Sequence, residues 1–439
     1  MVFIGPILAQ VAALAVADRT EARYIVSDDT HAEASTRPLA ALGVGWRHFS
    51  LSMSYAPSFT VLPVQKSASA PDTEPRLIVY HSESVSGTYS WGRTQLTIGE
   101  TGSYGTQNFR SAVLVDQRPI NTNPGGSTTP PTTGGTPTTG GTPTGGTGVP
   151  SPTGGTGSAT GGTGTTGGTG TPNAGTGANP LRATNLVVHF ASLTTSAALS
   201  HRASGGITMR GELGYNISGA TRAEEQTAFP LVHGPRGQFS LAQQLNHQDT
   251  VTTAVTLQYS SASTGDSVWI STLTSTLGRR FDAHTSGQLG VGVSGTRTPL
   301  TQGFTAYQVY PVAIASIAHT DIVARGTLGM NFSVTTSPVV DLTTSLADPR
   351  VGLNALVSWQ RDRFSSYLGA NAQLSTAAAS SAGSLSAVGG SAGLGYGLSS
   401  GVAVDSGFRI AYQTYQGATI VPLSYAVFVG LSFGLQKPL

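Results

Sequence analysis

The residues near the C-terminus alternate between large apolar and mostly small side chains. On one face of this segment lie Tyr425, Val427, Val429, Leu431 and Phe433, and small residues separate most of them. A period of two puts each set on its own side of a β-strand. Similar segments recur along the chain, and their apolar faces are too many to share one water-soluble core. Because lipid accepts only helices and closed barrels, this pattern predicts a transmembrane β-barrel.

The predicted fold is all-β, an antiparallel up-and-down barrel of about 18 strands (roughly 16–18) with one long disordered loop. Strands are counted from Pro38 onward, and residues 22–27 supply the one needed for an even number. A soluble sandwich or a β-helix is the alternative, but the strands are long and the hairpin spacing is irregular. Tight polar turns are predicted at one end of the strands, at residues 246–249, 279–282, 319–321, 360–363 and 399–400.

The chain divides into four segments. Residues 1–17 are apolar and end in Ala15-Val16-Ala17, as a secretory signal does, although a buried N-terminal strand or helix is the alternative. Residues 18–118 supply the first strands and residues 182–439 the remainder of the barrel. Between them, residues 119–181 are rich in Gly, Thr and Pro and contain no charge. Such a segment has little apolar surface to bury, so we expect a disordered extracellular loop; an interdomain linker is the alternative.

Composition and motifs argue against catalysis. The chain has no cysteine, which excludes a thiolate metal site and a cysteine nucleophile. Charged residues make up 10% and the net charge is +2, so no nucleic-acid partner is indicated. Residues 265–268 (GDSV) match a hydrolase block, but the nearest acid and histidine, Asp282 and His284, lie at a predicted turn on the opposite rim. The nine histidines lack metal-ligand spacing. We therefore expect no enzyme activity, cofactor or metal.

Strand parity separates a polar inner face from the apolar outer face. Amides, a phenol and charges of both signs on that face would let neutral polyols form hydrogen bonds without strong ion selection. The predicted lumen-lining residues are Arg210, Glu212, Asn216, Gln258, Gln288, Arg325, Asn331, Asn354, Gln360, Tyr367, Asn371, Gln373, Asp405 and Arg409.

Two segments and the C-terminal strand resemble a known group of proteins. Residues 42–57 (LGVGWRHFSLSMSYAP) and 97–109 (TIGETGSYGTQNF) are similar to outer-membrane β-barrels of myxobacteria and their relatives, an exopolysaccharide exporter group. That group in turn resembles the barrel of the poly-N-acetylglucosamine exporter. The resemblance implies an eighteen-stranded exporter in the bacterial outer membrane that works with a periplasmic polysaccharide co-export protein. Outer-membrane lipid, the barrel-assembly machinery and a carbohydrate polymer are its expected partners.

The predicted function is an outer-membrane pore that exports a secreted polysaccharide. A general or nutrient porin is the alternative of the same class. A surface-display or adhesion protein, in which the barrel only anchors the Thr-rich loop, is the alternative from another class. A barrel-embedded hydrolase is the third, and the absence of a Ser/His/Asp arrangement argues against it.

Overall fold

The structure is a computed structural model of the whole chain. It describes residues 11–26, 31–62, 76–108, 187–226, 229–299, 305–340, 347–375, 385–399, 401–415 and 418–438.

Twenty β-strands account for nearly all of these residues, and the described ranges contain one short 3-10 turn, Ser204–Gly206. The strands are β1 (Val11–Val26), β2 (His31–Thr36), β3 (Leu39–Gly45), β4 (Phe49–Tyr55), β5 (Ser58–Leu62), β6 (Arg76–Trp91), β7 (Thr94–Asn108), β8 (Val187–Arg202), β9 (Ile207–Ala220), β10 (Val232–Gln244), β11 (Asp249–Ala262), β12 (Ser267–Arg280), β13 (Thr285–Pro299), β14 (Thr305–Val323), β15 (Gly326–Val340), β16 (Ala347–Arg361), β17 (Phe364–Ser375), β18 (Leu385–Ser399), β19 (Val402–Tyr415) and β20 (Ala418–Pro438).

These strands form one closed antiparallel sheet. The wall closes where β1 pairs with β20, from Ala13 opposite Pro438 to Val26 opposite Tyr425. Closure leaves no free edge on which backbone groups would face lipid unpaired. The predicted transmembrane barrel is therefore confirmed as an all-β closed barrel.

Two wall positions each hold two strands placed end to end. Both β2 and β3 pair with β1, and both β4 and β5 pair with β6. The breaks fall next to Pro38 and Pro57, where the missing N–H interrupts the ladder. Counted as wall positions, the twenty strands make the predicted eighteen. No helix among the described residues is long and apolar enough to cross a membrane.

The two rims of the barrel differ. At one rim, named here the short-turn rim, brief turns join β3 to β4, β6 to β7, and each later even-numbered strand to the next, and the N-terminus of β1 and the C-terminus of β20 lie there too. The other, the long-loop rim, carries the wider connections. The end of β7 and the start of β8 lie at this rim, so the chain leaves and re-enters the wall there. The predicted loop of residues 119–181 itself lies outside the described residues.

One predicted turn is wrong. Residues 319–321 continue β14, and the chain reverses at Ala324 and Arg325, with φ of 53° and 63°. Two successive left-handed residues form the type I′ geometry that fits the twist of a hairpin. Ala324 and Arg325 are residue types that seldom form such turns. The polar segment His319-Thr320-Asp321 has a composition typical of turns, which explains the wrong prediction. As a consequence, Arg325 lies at a turn and does not line the wall, contrary to the sequence prediction.

The N-terminal strand is longer than the pattern predicted. Residues 11–17, assigned above to a signal-like segment, form the first part of β1 and pair with both β3 and β20. This placement corresponds to the alternative of an N-terminal strand. Residues 1–10 lie outside the described residues, and a cleavable signal stays a prediction.

Candidate functional site

The outer face of the barrel is an apolar belt with aromatic residues towards both rims. Near the short-turn rim, the rings of Tyr89 and Trp91 lie 5.5 Å apart, and near the long-loop rim those of Tyr259 and Trp269 lie 4.7 Å apart. Aromatic girdles of this kind flank the hydrocarbon zone in transmembrane barrels. Between them the outward side chains are mostly exposed and apolar, among them Leu213, Leu257, Leu273, Leu289, Val291, Leu368, Phe408, Val427 and Val429.

The inner face is lined over long stretches by hydroxyl groups. On β4, β6, β7 and β8 most inward positions are serine, threonine or glycine, with Val188 and Phe190 of β8 among the exceptions. Their side chains meet across the strands and form ladders, as in Thr272 and Ser294, whose Oγ atoms lie 2.8 Å apart. Three further pairs have oxygen–oxygen distances of 2.7 to 3.3 Å: Ser52 and Ser86, Ser54 and Ser84, Thr88 and Thr97.

By strand register, the predicted lumen residues other than Arg325 fall on the face opposite the exposed apolar belt, and their role in lining a transport path stays a prediction. On β16 and β17 they form a continuous amide patch, because Asn354 pairs with Asn371 and both side chains are exposed to the interior. Gln373 lies next to this patch on β17. The other predicted residues with amide side chains are spread around the wall: Asn216, Gln258, Gln288, Asn331 and Gln360.

A glycine stripe on β18 makes room for these side chains. Gly393 pairs with Tyr367, and a Cβ added there would lie 2.3 Å from the Tyr367 ring. At Gly389 the added Cβ would lie 2.7 Å from Oδ1 of Asn371. The inward glycines therefore let the β17 side chains lie flat over the neighbouring strand.

Most of the charge that the sequence places inside the barrel is paired. Arg210 and Glu212 form a half-buried ion pair of 2.8 Å. Asp405 accepts a 2.7 Å hydrogen bond from Arg19. The Arg409 guanidinium donates to Glu21 at 2.9 Å and lies 3.9 Å from the centroid of the Phe428 ring.

Four further charged residues lie beside Asp405 and Arg409 and were not among the predicted lumen residues. They are Arg19, Glu21, Arg23 and Glu33, from β1 and β2. Arg23 lies 3.4 Å from Glu21 and 3.5 Å from Glu33, with both of its partners on the inner face. The charges at alternate positions 19, 21 and 23 are a period-two signal that could have identified the three residues of β1. We name these four residues, with Asp405 and Arg409, the seam cluster, because they lie beside the junction of β1 with β20.

The structure separates the groups that a hydrolase would need. Gly265 and Asp266 lie in the turn between β11 and β12 at the long-loop rim, where Thr264 Oγ1 donates to Asp266 at 3.0 Å. Asp282 and His284 lie in a turn at the other rim. Across the described ranges, no three His, Asp or Glu side chains come together as a metal site requires.

Residues 150–436, about two thirds of the chain, match a family of exopolysaccharide export proteins. The chain belongs to the EpsX exopolysaccharide export family. With the closed barrel and its apolar belt, this family membership places the protein in the bacterial outer membrane. The resemblance to myxobacterial barrels and to the poly-N-acetylglucosamine exporter stays a prediction.

Solved structures show a looser similarity. The outer membrane protein OpdK from Pseudomonas aeruginosa is 9% identical, with a TM-score of 0.46, 98% of this chain and 100% of that chain covered. OccAB2 from Acinetobacter baumannii is 8% identical, with a TM-score of 0.46 and coverage of 97% and 98%. The FrpB iron transporter from Neisseria meningitidis is 6% identical, with a TM-score of 0.46 and coverage of 91% and 62%. Similarities this low carry no information on substrate. A comparison with curated proteins finds no match.

Proposed function

We propose that this protein is a non-enzymatic pore through which a secreted, largely neutral polysaccharide crosses the outer membrane. Membership of an exopolysaccharide export family supports the cargo. The observation that carries the proposal is the composition of the inner wall, where hydroxyls and amides line the surface and the seam cluster balances three arginines against three carboxylates. A neutral sugar chain can exchange many weak hydrogen bonds with such a wall without being held at one point.

A periplasmic partner is the second part of this proposal. The short-turn rim would receive it, near residues 279–282 and 360–363. The β14–β15 hairpin extends beyond β13 at this rim, because β13 pairs with β14 only as far as His319. Ile322 lies in the projecting part and is strongly exposed. We propose that this projecting hairpin is where a polysaccharide co-export protein binds.

Gene deletion tests the cargo. Deleting the gene is expected to abolish surface polysaccharide while the intracellular precursor remains. Deleting residues 121–180 alone is expected to leave export largely intact, since the β7 and β8 ends that flank the segment stay in the wall. If gene deletion leaves surface polysaccharide unchanged and the loop deletion abolishes adhesion, the display interpretation replaces the exporter. If only uptake of small nutrients falls, the porin interpretation replaces it.

The neutrality of the polymer is tested at the amide patch. Asn354→Asp with Asn371→Asp adds two carboxylates to the inner wall, and the matched pair Asn354→Lys with Asn371→Lys adds two cations. A neutral polymer should pass both variants at similar rates, as measured by surface polysaccharide. An acidic polymer would be slowed by the aspartates and not by the lysines, which would overturn the neutral assignment while leaving the exporter proposal standing.

A further inference from the structure

An apolar cluster lies inside the barrel at the long-loop rim, where the predicted pattern calls for polar residues. Its wall members project inward from β8, β10 and β12, since Val268 and Ile270 share the inner face with Ser260 and Gln258 of the neighbouring strand. Every member of the cluster is buried. Its larger side chains are Val188, Phe190, Phe229, Val232, Val268 and Ile270.

The connection between β9 and β10, described for residues 221–226 and 229–231, supplies Phe229 to this cluster. Both Phe229 and the following Pro230 are fully buried, although they lie in a loop. Hydrogen bonds fix the fold of the loop, because the Ala220 N–H donates to the Phe229 carbonyl at 3.1 Å and the Phe229 N–H to the Glu225 carbonyl at 3.0 Å. Phe229 therefore lies in the apolar cluster inside the barrel, held by hydrogen bonds to Ala220 and Glu225.

One charged contact fastens the loop to the wall. Glu225 accepts a hydrogen bond from the backbone N–H of His189 at 2.8 Å, and its other carboxylate oxygen lies 3.0 Å from His189 Nδ1. His189 stands between Val188 and Phe190 on β8. The polar latch and the apolar packing thus hold the loop against the same strand.

The cluster extends over part of the mouth of the barrel. Ala347, the first residue of β16, packs against it. The wall members of the cluster lie on β8 to β12, and β16 lies four wall positions beyond β12. The apolar contact therefore spans part of the mouth and narrows the passage at this rim.

We propose that the described part of this connection, residues 221–226 and 229–231, forms a gate that closes the pore at the long-loop rim, with Phe229 as its apolar plug and Glu225–His189 as its latch. An apolar constriction excludes water and hydroxyl-rich solutes because it offers them no hydrogen bonds. Opening requires the latch to separate and Phe229 to leave the cluster. The gate's action on ions and small solutes is independent of the cargo; only its opening by a polysaccharide rests on the proposed function.

Conductance of the full-length protein in planar bilayers tests the gate. Wild-type protein is expected to conduct weakly, whereas Phe229→Ser and Glu225→Ala should each raise conductance or open probability several-fold. Phe281→Ala is the matched control, because Phe281 is an exposed phenylalanine at the short-turn rim. Folding is verified by heat-modifiable gel mobility, and Glu225→Gln provides a milder latch variant. Wild-type conductance equal to that of the folded variants would overturn the proposal.

A reversible cross-link separates the gate from the cargo. The native chain has no cysteine, so His189→Cys with Glu225→Cys introduces the only two thiols. A reducible bifunctional thiol reagent should lower conductance below that of the unlinked double variant, and reduction should restore it. In cells, the same treatment should stop surface polysaccharide reversibly. If conductance responds and polysaccharide does not, the gate stands and the exporter proposal fails; if conductance does not respond, the gate is overturned.

Discussion

At the scale of single residues, Glu21 is the centre of the seam cluster. Arg409, Arg19 and Arg23 lie 2.9, 3.1 and 3.4 Å from its carboxylate, and the cluster is buried. Removing one partner of a buried ion pair leaves an uncompensated charge and costs about 3–5 kcal/mol. We expect Glu21→Ala to lower the free energy of unfolding by an amount of that order, measured by urea titration with heat-modifiable gel mobility as the readout.

Glu212→Ala is the matched control for that substitution. Its pair with Arg210 is more exposed, at 14% and 23% of the side-chain surface. More of this pair is in contact with water, so the expected loss is smaller than at Glu21. Equal losses from the two variants would show that the seam cluster has no special role in stability.

Asp282 gives a pH-dependent prediction outside the membrane. The backbone N–H of His284, followed by that of Thr285, holds the pKa of Asp282 below its ordinary value of 3.8. Both N–H groups donate to Oδ1 at 2.6 Å. A lowered folded-state pKa contributes stability that is complete above the unfolded value and is lost as the pH falls through the folded value. We therefore expect the turn's contribution to decrease as the pH falls below about 3.8 and to be lost below the folded-state pKa.

Asp282→Asn separates charge from geometry. In the corresponding turn between β10 and β11, Asn246 Oδ1 accepts from the N–H groups of Gln248 and Asp249 at 2.7 and 2.8 Å. An amide can thus hold the same turn. The asparagine variant should lack the acid-dependent part of the wild-type unfolding profile, whereas Asp282→Ala should lose the turn contribution at every pH. An identical acid profile for wild type and Asp282→Asn would contradict this assignment.

At the scale of secondary-structure elements, β13 tests which face meets lipid. Leu289 points outward and is 64% exposed, while the adjacent Gln288 points inward. An arginine at a lipid-facing site near the midplane costs about 2–4 kcal/mol, and an inner site tolerates the change. Leu289→Arg should therefore reduce the heat-modifiable folded fraction much more than Gln288→Arg. A similar reduction in both variants would show that the two faces are assigned wrongly.

Strand parity was predictable because the period of two reflects a local rule. The apolar face expected from Val427, Val429 and Leu431 is exposed on the outer side of β20. The rule fails where backbone conformation overrides composition, as at the left-handed turn of Ala324 and Arg325. It also fails at Val268 and Ile270, because inward apolar residues serve a cluster built from several distant segments.

At the scale of the whole molecule, the contacts that the sequence did not predict are those between strands that become neighbours only in the folded barrel. Glu21 and Arg409 are 388 residues apart in sequence and meet only because β1 pairs with β20. The packing of Ala347 against the apolar cluster likewise joins β16 to residues of strands with which it does not pair. Sequence periodicity fixes a strand's two faces, whereas contacts across a lumen depend on which strands become neighbours or opposites.

The asymmetry of the rims predicts how the whole barrel sits in the membrane. Transmembrane barrels keep short turns on the periplasmic side and longer loops outside. Thr264 and Ala283 are exposed in connections at opposite rims, and the chain contains no cysteine that would interfere with labelling. A membrane-impermeant maleimide should therefore label Thr264→Cys on intact cells, and Ala283→Cys only after the outer membrane is permeabilised. Labelling of Ala283→Cys alone on intact cells would reverse the orientation and place the gate at the periplasmic end of the pore.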